Sequence, residues 1–334
     1  MQKTKKKAGA GRIVLRALAL LLALILAFAA FLFLAPLIEH GDRSAVAGSA
    51  DWMARLDDGL LLSDINIPGT HDSATQYVQL AWFSKCQFTD VGSQLEAGYR
   101  YLDIRLGAEG ERLKLMHGFT GCKTSAFGGS LYLDEVLAQC YAFLDAHPTE
   151  TVVFAVKQEH GDESAAQFER LLDAYVKASP EHWLATETIP TLGQARGRLL
   201  LMRRYEDEAG LGAAAGVPLL WPNQNGHEDP NLNTAMTDNG SYRLWVQDRY
   251  EYDAEDKWAA FTAGVAQHGA QTGDIALHFL STKGTAAYGH PFSFAKALNP
   301  KLLGFEAPEG GKYGWVVVDF ASAVLAEHIY ESNF

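Results

Sequence analysis

The sequence predicts an α/β protein: a single, distorted TIM-type (β/α) barrel preceded by an N-terminal transmembrane or signal segment. Three observations carry this expectation. Strand-like runs recur near 64–67, 99–106, 151–157, 198–204, 243–248, 274–280 and 315–319. Helical patterns separate most of them, and strands alternating with helices imply a largely parallel sheet. Seven or eight such units in about 280 residues, without an internal repeat or second domain, suit one barrel.

The N-terminus comes first in chain order. Residues 1–16 hold Lys3, Lys5, Lys6, Lys7, Arg12 and Arg16 and no acid, and form a basic cytoplasmic region. Residues 17–38 are uncharged and mostly apolar. As a helix they reach about 33 Å, enough to cross a bilayer with the basic end inside. This segment is a signal anchor or a signal peptide. Ala45-Val46-Ala47 offers a cleavage site, but the apolar run is longer than a usual signal core, so a retained anchor is the preferred reading over secretion. No cysteine follows it closely, which excludes a lipoprotein anchor. Residues 39–50 are a polar linker, and 51–334 form the barrel outside the cytoplasm.

The chain is 48% hydrophobic and 20% charged, a globular composition. Removing the six basic residues and Glu39 from the totals leaves 22 basic against 39 acidic, net −17, from residue 42 onward. That balance argues against nucleic acid as a partner and against electrostatic recruitment to anionic lipid. Cys86, Cys122 and Cys140 permit at most one internal disulfide and fit no zinc spacing.

Along the barrel, Ile65-Asn66-Ile67-Pro68-Gly69 ends in a turn signal and delivers Thr70-His71-Asp72 just past a strand. Leu113–Met116 follows Arg105 too closely for a parallel crossover, so it reads as a hairpin over the barrel mouth, ending in His117-Gly118. Helical spacing marks 130–147, where Pro148 ends the run, then 165–177, 254–268 and 321–330. Residues 205–240 read as a long irregular insertion. Strand alternation puts Asp103 with Arg105 on one face. It likewise groups Val153, Ala155 and Lys157, then Val246, Asp248 and Tyr250, and finally Val317 and Asp319. Each apolar strand thus ends in polar groups, where barrel enzymes keep their sites. Two histidines, carboxylates, an arginine and a lysine converging there suit phosphoryl transfer by paired acid–base catalysis.

The motifs Ile-Pro-Gly-Thr-His-Asp-Ser, Gln-Leu-(three residues)-Gly-Tyr-Arg-Tyr-Leu-Asp-Ile-Arg and His-Gly together resemble the X-domain of bacterial phosphatidylinositol-specific phospholipase C, from about Asp64 to the C-terminus. The resemblance implies a phosphatidylinositol diacylglycerol-lyase acting on phosphatidylinositol or a glycosylated inositol lipid. Its first products would be diacylglycerol and inositol 1,2-cyclic phosphate. It implies His71 as general base oriented by Asp319, His117 as general acid supported by Asp72, and Arg105 beside the phosphate with Asp103 nearby. Lys157, Arg204, Asp248 and Tyr250 match positions that hold the inositol; alternation cannot choose between Arg203 and Arg204. Calcium-dependent relatives build an oxygen cage where this chain has Asp72, Asp103, Arg105 and Lys157. Arg105 therefore reads as a replacement for the ion, with no metal and no cofactor. A metal-dependent glycerophosphodiester hydrolase and an inactive, membrane-displayed inositol-lipid-binding module are the alternatives.

Two further expectations concern the mouth. Cys86 follows the His71 loop and Cys122 follows His117, which suggests a Cys86–Cys122 disulfide with Cys140 free. Trp82 and Phe83, together with Tyr288, Phe292 and Phe294, are expected to meet the membrane surface. His160, His227, His278 and His290 match no motif and read as surface or packing residues. The chain is expected to be a monomer whose partners are an inositol phospholipid and a membrane surface.

Overall fold

The computed structural model describes residues 5–39, 41, 44–224, 235–238, 242–268, 273–286, 289–307 and 312–334. Helix α1 (Lys5–Ile38) joins basic residues and apolar run in one element, and none of its apolar window is buried. The barrel begins with β1 (Ile67–Thr70), short helices α2 (Ala81–Ser84) and α3 (Val91–Glu96), then β2 (Tyr101–Glu109), β3 (Arg112–His117) and β4 (Thr120–Gly121). There follow α4 (Leu133–Ala146), β5 (Val152–Gln158), α5 (Ala165–Ala178), β6 (Trp183–Leu184), α6 (Leu192–Ala195), β7 (Leu199–Arg203) and β8 (Val217–Pro218). The last elements are β9 (Ala235–Asp238), β10 (Arg243–Gln247), α7 (Ala254–His268), β11 (Ile275–Phe279), α8 (Pro291–Leu303), β12 (Trp315–Val318) and α9 (Ala323–Tyr330).

Parallel neighbours run β8, β7, β5, β2, β1, β12, β11, β10, the order of a (β/α) barrel in which first and last strands meet. Among the described residues no pairing joins β8 to β10, and β9 lies antiparallel on β10. The expected barrel is present, and this opening is its distortion. As expected, β3 folds back antiparallel on the outer half of β2, Leu106 facing Leu115. Alternation along the strands divides the core. Tyr101, Val153, Ala155, Leu200 and Met202 enter one apolar cluster. Leu102, Ile104, Phe154, Val156 and Leu201 enter a second with α4 and α5 residues such as Leu137 and Phe168.

The first strand lies three residues later than the apolar run suggested, at Ile67–Thr70 rather than 64–67. Pro68 and Gly69 read locally as strand breakers, yet both pair with β12. Gly69 is required by its neighbour: a Cβ there would lie 2.9 Å from the Tyr101 side chain. The helix α8 was missed because Pro291 and Pro300 read as breakers. Pro291 occupies the first turn, where a missing N–H costs nothing.

Beneath the barrel, Arg100 is fully buried and pairs with Glu150 at 2.9 Å. It also donates to the carbonyls of Leu95, Tyr99, Ser49 and Ala50, which ties the end of the linker to the sheet. Arg100→Ala would leave Glu150 charged and unpaired in the core. We expect a loss of about 3–5 kcal/mol in urea unfolding; stability within experimental error of wild type would show that the pair anchors nothing.

Candidate functional site

The C-terminal ends of the strands carry every polar residue singled out in the sequence. His71 follows β1, Asp103 and Arg105 lie on β2, His117 ends β3, Lys157 lies on β5, and Arg204, Asp248 and Asp319 follow β7, β10 and β12. His71, Arg105, His117, Lys157, Arg204, Asp248, Tyr250 and Asp319 line one cavity of about 630 Å³, a size suited to a small ligand. Asp72 and Asp103 lie just beneath, almost fully buried.

Arg105 is the hub. Its Nε lies 3.1 Å from Asp72 Oδ1, Nη2 donates to Asp103 Oδ2 at 2.9 Å, and Nη1 donates to Glu159 Oε1 at 3.2 Å. Burial works against the guanidinium charge, but these carboxylates hold it firmly cationic. The same pairing acts in reverse on Asp103: burial opposes ionisation, yet Arg105 and Arg204 hold its carboxyl far below the usual range. Glu159 is likewise depressed, by Arg105 and Lys157 against burial.

The imidazoles are oriented differently. His71 Nδ1 donates to Asp319 Oδ1 at 2.8 Å, and Arg105 Nη2 lies 2.8 Å from its Nε2. This network assigns the proton to Nδ1 and points the Nε2 lone pair at the Arg105 guanidinium, from which it accepts. Burial disfavours the charged ring, but Asp319 and Asp72 outweigh it and raise the His71 pKa. His117 Nδ1 donates to the Ser84 carbonyl at 2.8 Å, with Asp72 Oδ2 at 3.4 Å. Asp72 Oδ2 also lies 3.2 Å from His71 Nε2, so one carboxylate stands between both rings. Asp72 itself has φ +43°, a left-handed backbone that turns its side chain beneath them.

The ambiguity between neighbouring arginines resolves by position. Arg204 Nη1 bonds Asp103 Oδ1 at 2.8 Å in the cavity, whereas Arg203 donates to the Tyr205 carbonyl. Sequence reasoning missed four contributors. Glu159 also accepts from Gly118 N, and it shares the alternating face of Lys157, a signal that was available. Trp221 stacks under Arg204 at 4.0 Å and donates to Asp248 Oδ2, and Asn223 accepts from Tyr250 OH. Both come from the irregular insertion, where no period points to them. Gln87 is fully buried, donates to the His71 and Val318 carbonyls, and accepts from Ala321 N, so it joins the two loops that carry the His71–Asp319 pair.

The expected Cys86–Cys122 disulfide is absent; all three cysteines are free and buried. Chain proximity misled here. Cys122 pairs in the hairpin with Leu115 and Leu131 and enters the second apolar cluster. Cys86 turns instead toward the cavity, its Sγ 3.9 Å from His117 Nδ1. Burial, Asp319 and Asp72 all push the Cys86 thiol pKa up. The aromatic expectation also needs correction in part. Phe292 packs with Phe88 and Phe320, and Phe294 against the main core cluster. Tyr288 and His227 lie outside the described residues. Trp82 is half-buried and Phe83 lines the cavity.

Among the described residues, three groups bring possible metal-ligand atoms within 4.8 Å of one another: His71–Cys86–Asp319, Asp72–Cys86–His117 and His71–Asp72–Asp103. Arg105 lies against the last, and a cation there would meet its charge at contact distance. The donor set therefore fits a built-in guanidinium better than a calcium ion, which needs six or more oxygens.

Comparison with known proteins finds the same fold and a matching domain. Residues 65–205 match the family model for the phosphatidylinositol-specific phospholipase C X domain. A 1-phosphatidylinositol phosphodiesterase from Staphylococcus aureus is 28% identical over 304 residues, covering 84% of this chain and 91% of that protein. One from Listeria monocytogenes is 25% identical, covering 84% of each. A solved structure of the S. aureus phosphatidylinositol-specific phospholipase C superposes with TM-score 0.70 at 24% identity, over 85% of this chain and 97% of that one. Residues 65–205 thus match the X domain, and the chain is similar over most of its length to bacterial 1-phosphatidylinositol phosphodiesterases.

The free-cysteine geometry is directly checkable. Thiol titration of the unfolded, never-reduced protein is expected to give three reactive thiols per chain; one would restore the disulfide.

Proposed function

We propose that this chain is a phosphatidylinositol phosphodiesterase of the lyase type, acting outside the cytoplasm. The observation that carries the reading is the pair of imidazoles held on either side of the buried Asp72 carboxylate, with Arg105 against it, in one polar cavity. With substrate bound, Arg105 Nη2 turns from His71 to the phosphoryl oxygens, and the freed Nε2 takes the proton from the inositol 2-hydroxyl as that oxygen attacks phosphorus. The P–O bond to diacylglycerol breaks, and His117 supplies the proton to the departing alkoxide. The product retains the inositol as a 1,2-cyclic phosphate.

Each neighbouring group has a role that follows from its contacts. Asp319 holds the His71 tautomer with Nδ1 protonated and stabilises the imidazolium that forms. Asp72 serves both rings. Arg105, fixed by carboxylates on three sides, neutralises charge on the phosphoryl oxygens without calcium. Lys157, Arg204, Asp248 and Tyr250 hold the inositol hydroxyls, with the indole of Trp221 forming one wall. Trp82 and Phe83, beside the mouth, meet the lipid surface. The relatives named for this activity support the reading, as do the matching motif positions.

Incubating purified protein with phosphatidylinositol in excess chelator should yield inositol 1,2-cyclic phosphate and diacylglycerol. Strict dependence on added calcium would show the role given to Arg105 to be wrong. Arg105→Ala should lower turnover by about 10²–10³ under the same conditions, the usual size of losing a preorganised charge stabiliser.

His71→Ala and His117→Ala should each reduce turnover by at least about a hundredfold. A folded variant of either kind with near-normal rate would remove that histidine from the mechanism.

A further inference from the structure

We propose that the N-terminal helix is retained and that its outer end is built into the rim of the cavity, so that the enzyme cleaves lipid in the membrane that holds it rather than in an apposed one. For its substrate, this inference rests on the function proposed above.

The last turns of α1 do not simply lead away from the barrel. Lys85 Nζ donates to the Pro36 carbonyl at 2.8 Å, and both residues are buried. Terminal carbonyls of a helix have no partner within it and carry its negative end, so a buried ammonium is a fitting cap. One turn further, Glu39 pairs with His290 at 2.8 Å, with both side chains largely shielded. The His290 ring stacks on Trp82 at 3.8 Å with planes 1° apart, and Trp82 packs in turn on Phe31 of α1 at 5.0 Å. On another side, Phe33 meets Phe127 of the loop after the hairpin at 6.0 Å.

These are also elements of the mouth. Trp82 is adjacent to Phe83 on α2, and His290 precedes Pro291; Phe83 and Pro291 both line the cavity. Removing the helix would strip Lys85 and His290 of these partners, a cost that a cleaved leader would impose on every mature molecule.

The geometry also sets depth. Phe31 lies seven residues before the end of the apolar run, about 10 Å along the helix axis. Trp82 and Phe127 therefore stand beside its outermost apolar turns, at the level where aromatic rings favour the bilayer interface. Leu80, two residues before Trp82, Phe119 in the turn after β3, and Phe127 are 58%, 64% and 83% exposed. The occupant of this apolar rim is the bilayer, because the rim continues a helix able to span one.

The test uses full-length protein reconstituted in phosphatidylcholine vesicles, with phosphatidylinositol either in the same vesicles or in a separate population. Lipid in the protein's own vesicles should be cleaved at least about tenfold faster, the advantage of a fixed local concentration. Equal rates would overturn the proposal. The double variant Glu39→Ala/Lys85→Ala, still tethered but no longer oriented, should show a smaller preference while hydrolysing soluble inositol 1,2-cyclic phosphate at the wild-type rate; an undiminished preference also counts against it. If neither lipid nor soluble ester is cleaved, the proposed function fails instead. The anchor geometry is then read without activity, from quenching of Trp82 by brominated lipid, taken as the difference between wild type and Trp82→Phe. No quenching, or recovery from cells of a chain that begins after residue 47, would sink the proposal.

Discussion

The burial of Arg105 is the constraint on which the site depends. A guanidinium removed from water is tolerable only when its charge and donors are matched, and here Asp72, Asp103 and Glu159 supply the match. These three carboxylates come from the loop after β1, from β2 itself and from just beyond β5. The pairing can form only if those three adjacent strands hold their register, as Tyr101 does opposite Val153 and Gly69 opposite Tyr101. The same guanidinium then presses on His71 Nε2, so the electrostatic solution for the arginine also fixes an imidazole. Lost pairing would leave several charges buried together, which makes the arrangement close to all-or-none.

Backbone strain and buried polar groups complete the positioning. Asp72 and Phe320, each immediately after one member of the His71–Asp319 pair, adopt positive φ of 43° and 52°. Such conformations are uncommon for residues with a Cβ and persist when surrounding bonds over-determine them. Those bonds are present: Asp72 N donates to Asp103 Oδ2, Phe320 N to the Cys86 carbonyl, and Gln87 spans both loops. On the opposite wall, buried Lys257 donates to Gln247 Oε1 and to the Arg249 carbonyl, bracketing Asp248. Burial lowers its pKa to about 7, with the nearby Asp248 and Asp319 opposing the fall.

Much of this was legible in the chain because it rests on short-range periodicity. Alternation in Tyr101-Leu102-Asp103-Ile104-Arg105 gave the correct face for each side chain, and helical spacing found α4, α5, α7 and α9. Where tertiary packing overrides local preference, the reading failed. Pro68 and Gly69 sit inside β1 because β12 and Tyr101 require them there, and α8 accommodates two prolines. Strand β8 is only two residues long and exists through its pairing with β7. Neighbourhood in sequence also says nothing about direction, which is why Cys86 and Cys122, both near the mouth, point to different places. Trp221, Asn223 and Gln87 function through long-range contacts that no local pattern encodes.

The charge of residues 42–334 explains why the proposed anchoring and the rim belong together. At net −17 from residue 42 onward, the barrel is repelled by anionic headgroups at separations within the Debye length, about 8 Å at physiological ionic strength. A diffusing acidic enzyme would have to overcome that repulsion at each encounter. A spanning helix removes the encounter, and side-chain contacts at its outer end convert tethering into orientation. Orientation matters because a flexible tether fixes distance but leaves the mouth free to face any direction. With Lys85 on the Pro36 carbonyl and Trp82 between Phe31 and His290, the helix axis and the cavity wall share residues. Apolar side chains can then meet the lipid without basic residues, and the cavity's cations stay committed to its buried carboxylates and to the substrate phosphate.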